Sequence, residues 1–180
     1  NRWYPDLARK VGDRIGNALG NDEAHNTAVI RQASVEAVEE WVAYGEANTL
    51  RKALMALSID CDFVFDLHCH GEAIQYVYFP ENHWERYGDL AAELVCRTVL
   101  LFPTDSGSNF DIAPTTIWHQ LRKRFPDRAI AEPPFTTTLE LRGQNDVGDD
   151  LAAADARGLW RFMQRHGIVA GDPGDPPDLL

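Results

Sequence analysis

The stretch Phe63-Val-Phe-Asp-Leu-His68 constrains this chain more than any other. An apolar run feeds directly into Asp66, His68, His70 and Glu72, which reads as a buried strand delivering ligand chemistry at its end. Alternation along an extended backbone puts those four residues on one face and Leu67, Cys69 and Gly71 on the other. The fold has to bury the first half of this strand and present the second.

Helical patterns surround it. Leu7, Val11, Ile15 and Leu19 recur every four residues and end at Gly20-Asn21, an amphipathic helix. Val35, Val38, Trp41, Val42, Leu50, Leu54 and Leu57 make a second apolar stripe from about Val35 to Leu57, with Gly45 as a divider. Ile74 to Phe79 is a second strand closed by Pro80. Trp84 to Arg97 is helical in pattern, and Thr98 to Phe102 is a short buried strand. Pro114 opens a helix running to about Arg124, Phe135 to Leu141 is a strand, and Asp149 to His166 is the last helix. Strands separated by helical segments predict an α/β domain with a mixed, largely parallel sheet flanked by helices. Residues 1–170 are expected to form that domain, and the Pro/Gly-rich residues 171–180 a linker or tail.

Charge and cysteine content narrow the partners. Lys and Arg number 17 against 28 Asp and Glu, a net charge of -11, which disfavours nucleic acid as a partner. A few arginines focused in a pocket still suit a small anionic substrate. Three cysteines, Cys61, Cys69 and Cys96, form no CxxC pair, so neither a disulfide framework nor a thiolate zinc site is expected, and a reducing cytoplasm fits. No apolar run approaches the ~20 residues that span a bilayer.

Catalytic zinc commonly takes three protein ligands, often two His and a carboxylate, while a separate carboxylate acts on the bound water. His68 is the strongest ligand candidate. His70 and Glu72 either complete an HxHxE chelate with it or serve as neighbouring pocket groups, and Asp66 is placed to orient His68. Glu140, in Thr136-Thr-Thr-Leu-Glu-Leu-Arg-Gly143, sits where a strand turns into a glycine loop. A carboxylate there is a candidate general base, or else a solvent-facing partner of Arg142. Asn1 and Arg2 pair an amide with a planar guanidinium, which suits a carboxylate. Cys69 is flanked by His68 and His70, but neighbours on a strand point to opposite faces. His25, His83, His119 and His166 lack ligand spacing and are expected to be structural.

In the order Asn1-Arg2, Asp66-Leu67-His68 and Thr138-Leu139-Glu140-Leu141, the chain resembles the succinylglutamate desuccinylase and aspartoacylase family, relatives of the zinc carboxypeptidases. The resemblance extends from Asn1 to about Gly171. It implies that Asn1 and Arg2 bind a substrate carboxylate, His68 ligates one Zn2+, and Glu140 is the general base. The family's first two zinc ligands come from an HxxE motif before the Asn-Arg pair, and no His here has Glu three residues later. The chain is therefore expected to be a fragment of the catalytic domain, inactive by itself. Glu140-Leu-Arg-Gly also departs from the Glu-Leu-Gly-Gly of succinylglutamate desuccinylases. The expected activity is zinc-dependent amide hydrolysis in an N-acyl amino acid or related small acid. Alternatives are a zinc carboxypeptidase acting on peptides and a non-catalytic binding domain.

Overall fold

A computed structural model describes residue 4 and residues 6–103 and 109–178. Among these, two compact units separate, one within Asn1–Val64 and Thr104–Thr136, the other within Phe65–Pro103 and Thr137–Leu180.

The first unit is helical: α1 (Leu7–Ile15), α2 (Glu23–Glu39), α3 (Glu46–Ser58) and α6 (Ala113–Arg124). Asp6 starts α1 by accepting from Arg9 N at 3.1 Å, and Asp22 starts α2 by accepting from His25 N at 2.8 Å. Each carboxylate satisfies an amide that the helix itself leaves unpaired. The four-residue apolar spacing of α1 buries Val11 and Ile15 against Ile30, Val38, Ile117 and Leu121. Gly12 leaves room for the Arg124 side chain, whose guanidinium would lie 2.5 Å from a Cβ there. Asn26 is buried in this apolar setting without penalty. Its side chain donates to Gly20 O (3.0 Å) and Ala129 O (2.8 Å) and accepts from Gly20 N (2.8 Å).

The second unit is built on the sheet, with strand order β1-β4-β2-β3. The strands are β1 (Phe63–His70), β2 (Gln75–Pro80), β3 (Thr98–Phe102) and β4 (Phe135–Gly143), and the short helices α4 (Trp84–Tyr87) and α5 (Asp89–Glu93) precede β3. β2 runs parallel to β3 and antiparallel to β4. The expected mixed α/β sheet flanked by helices is present. Helix α7 (Asp149–Arg165) buries Phe162 completely, in edge contact with Phe65 (5.8 Å) and Tyr87 (6.3 Å).

Two expectations shift in detail. Helix α2 begins 12 residues before the apolar stripe that announced it, because Asn26, Ala33 and Ser34 share the buried positions there with Ile30 and carry little periodic signal. The single helix expected over Trp84 to Arg97 divides at Gly88 and ends at Glu93, two residues before Val95, whose φ of 55° leaves the helical region. The tail lies along α7, with Arg161 donating to Asp175 O (2.9 Å) and Arg165 to Gly174 O (3.2 Å). Among the described residues, no helix is long and apolar enough to cross a membrane.

The contact of α7 with α5 depends on Gly158. A Cβ at that position would lie 2.5 Å from the carbonyl oxygen of Glu93, a backbone atom that cannot step aside. Gly158→Ala gains about 1 kcal/mol of helix propensity and loses about 1–3 kcal/mol to overpacking. The expected result is a lower Tm, read by thermal unfolding; a raised Tm would show that α7 and α5 do not pack this closely.

Candidate active site

Which face of the sheet each side chain occupies follows from α7. Gln75 Nε2 donates to Asp155 of α7 at 3.1 Å, so the odd-numbered residues of β2 face that helix. Register pairs Gln75 with Leu141, Val77 with Leu139 and Tyr76 with Glu140. Leu139 therefore shares the helix-covered face, where it is 1% exposed, and Glu140 lies on the opposite one with Tyr76. On β1, Phe65 meets Phe162 of α7, which sends Asp66, His68 and His70 to Glu140's face.

Register brings two of these residues level. Phe135 N donates to Asp62 O at 2.9 Å, and the rings of Phe63 and Phe135 meet edge-on at 6.2 Å, so these two residues lie side by side in a parallel ladder. Carried along both strands, that register sets Glu140 beside His68. At the far end Gln144 N donates to His70 O at 2.7 Å. The acceptors are eight residues apart on β1 and the donors nine apart on β4, so β4 carries one extra residue. Arg142, at φ 82°, is where the strand departs from extended geometry.

That departure decides what Arg142 does. Strict alternation would aim it to Glu140's side. Instead, its guanidinium takes Asp155 bidentately, at 2.8 and 2.6 Å, and donates to Gln75 Oε1 at 3.0 Å. Asp155 holds the Arg142 titration above its ordinary range, chiefly through these hydrogen bonds. Arg142 is thus anchored to α7 rather than paired with Glu140.

Glu140 is 8% exposed, and its Oε2 is buried without a hydrogen-bond partner. Beside it, His68 is about half exposed, with its Nε2 2.9 Å from the Asp66 carboxylate. Two residues apart on an extended strand, Asp66 and His68 share a face, which lets the carboxylate fix the ring and leave Nδ1 pointing elsewhere. Tyr76, opposite Glu140, is the residue that sequence reasoning missed. Its hydroxyl titration is pushed up to about 12, first by burial, then by a hydrogen bond with Tyr78 and by the nearby Glu140 charge. Nothing local marks Tyr76; only the pairing of β2 with β4 brings it here.

The remaining candidates lie apart from this cluster. His70 and Glu72 are exposed where β1 ends, and among the described residues no three His, Cys, Asp or Glu side chains are grouped to hold a metal. The HxHxE chelate is therefore not assembled among the described residues, and Glu72 lies past the end of β1 at His70. Cys69 alternates to the face away from His68 and His70, and Cys96 is buried, which pushes its thiol up to about 11. His25 contacts Ala18 O at 3.2 Å, His166 meets Asp89 at 3.0 Å, and His83 is buried against Tyr87. His119 is partly buried on α6. Asn1 and Arg2 lie outside the described residues.

No family model and no curated protein matches the sequence. Solved structures do match the fold. One, from Shewanella frigidimarina NCIMB 400 and provisionally named a succinylglutamate desuccinylase/aspartoacylase, has a TM-score of 0.80 at 23% identity, covering 100% of this chain and 48% of that one. Another, from Shewanella amazonensis SB2B and provisionally placed in the same family, has a TM-score of 0.78 at 23% identity, covering 100% of this chain and 49% of that one. The chain thus has the fold of these succinylglutamate desuccinylase/aspartoacylase family proteins and spans about half the length of each.

Proposed function

We propose that the protein hydrolyses the amide bond of an N-acyl amino acid or related small acid, with zinc as cofactor. The observation that carries this reading is Glu140: a buried carboxylate with an unpartnered Oε2, beside an imidazole already held by Asp66. A buried charged group left without a partner is costly unless its chemistry requires it. The residues present fit one side of a zinc site. His68 would ligate through Nδ1, because Asp66 engages Nε2, and further ligands would come from residues other than those described.

Zinc, when bound, would polarise the scissile carbonyl and acidify a water molecule. Glu140 would take a proton from the attacking water on Oε2 and deliver it to the departing amine, so one residue would serve as base and then as acid. Its burial excludes bulk water from the carboxylate and keeps the proton where it is needed. Asp66 holds the His68 ring and fixes its tautomer. Asn1 and Arg2 keep the role the resemblance implies, a clamp on the substrate carboxylate, with the guanidinium donating to both carboxylate oxygens at once.

Two substitutions in the full-length protein separate the parts. Glu140→Gln should reduce kcat by about 10²–10⁴-fold while zinc content, measured by elemental analysis, stays at the wild-type level. Undiminished turnover in that variant rules Glu140 out as the base. Asp66→Asn should weaken zinc affinity by about 10–100-fold, measured by chelator competition. Unaltered affinity there would mean that Asp66 does not support a ligand.

A further inference from the structure

The face that carries Glu140 is aromatic on its β2 side and holds no positive charge from the strands. Register places Tyr76 directly across from Glu140 and Tyr78 across from Thr138, and continues on β3 to Thr98 and Leu100. Tyr76 and Tyr78 are both partly exposed and stand on one face two residues apart, their rings meeting edge-on at 5.5 Å. Leu100 extends the same surface and is 40% exposed. Across antiparallel strands, directly opposed Cβ atoms are ~4.5–5.5 Å apart, so Tyr76 stands beside Glu140.

The charge inventory points the same way. Arg142 is the only Lys or Arg in the four strands, and the backbone turn at φ 82° commits it to Asp155 and Gln75 on the other face. A second or third carboxylate on the substrate, as in a succinyl or aspartyl group, needs a cation to balance its desolvation, and this wall offers a ring surface instead. From this we infer that the substrate is an N-acylated amino acid with a single carboxylate, whose group toward β2 is aromatic and packs on Tyr76 and Tyr78. The inference rests on the hydrolytic reading of Glu140 and His68 and specifies its substrate class. Tyr76 acts in it as a specificity-determining residue that contacts substrate without taking part in proton transfer.

Steady-state kinetics of the full-length, zinc-loaded protein test it with five probes: N-acetylphenylalanine, N-phenylacetylglycine, N-acetylalanine, N-acetylaspartate and N-succinylglutamate. The expected kcat/KM for at least one aromatic probe exceeds that for both acidic probes by about tenfold or more. Tyr76→Ala should lower the ratio of that aromatic probe to N-acetylalanine by about tenfold, while Tyr76→Phe, which keeps the ring, should preserve it. If an acidic probe is the best substrate, the aromatic wall does not choose the substrate and this inference fails, although the hydrolytic reading stands. If none of the five is turned over by zinc-loaded wild type, the hydrolytic reading fails and the inference falls with it. The wild-type comparison decides the matter even if Tyr76→Ala does not fold, and a ratio unchanged in a folded Tyr76→Ala would equally overturn it.

Discussion

The alternation of β4, and the single point where it breaks, organises everything on the sheet. β4 lies between β1 and β2, so its even-numbered side chains meet His68 on one side and Tyr76 on the other. Its odd-numbered side chains pack with Val77 beneath α7. Had the extended backbone continued through Arg142, a guanidinium would stand on the same face as Glu140 and neutralise it. The positive φ at Arg142 instead sends that charge to Asp155, where two hydrogen bonds and Gln75 hold it. The same local geometry that ties the sheet to α7 keeps the Arg142 guanidinium away from Glu140.

The contrast among buried acids gives this weight. In the sheet-bearing unit, Glu93 is 8% exposed and held by Arg161 at 3.1 Å and Arg165 at 2.6 Å. Asp155 is 9% exposed and held by Arg142. Both are structural ion pairs, joining α7 to α5 and to the sheet, and both have their desolvation offset. Glu140 is equally buried and has one oxygen without a hydrogen bond. Its environment differs in kind from that of the other two, which is why the catalytic reading settles on this carboxylate.

Most elements were legible in the sequence because their signals are local. Pro114 sits one residue inside α6, Gly45 separates α2 from α3, and Thr98–Phe102 forms a strand with the expected ends, although its side chains are exposed or half-buried instead of buried, at the edge of the sheet. Where the signal was weak the boundaries moved, as at the start of α2, or a helix divided, as at Gly88. The Asp66–His68 contact was also within reach of sequence, since two residues on one face of a strand are neighbours whatever the rest of the chain does. The HxHxE chelate is not assembled among the described residues, and Glu72 lies past the end of β1 at His70.

By itself, then, the sequence determined the periodicities, hence the helices, the strands and the residues available at strand ends, because these depend on separations of a few residues. It did not determine that β4 inserts between β1 and β2, since strand pairing joins positions dozens of residues apart and is decided by which faces can be buried together. That insertion puts Tyr76 across from Glu140, sets Glu140 level with His68, and turns Arg142 toward α7. Tertiary structure alone decided which of several plausible polar residues share a face, because a face is a property of neighbouring strands and not of any one of them.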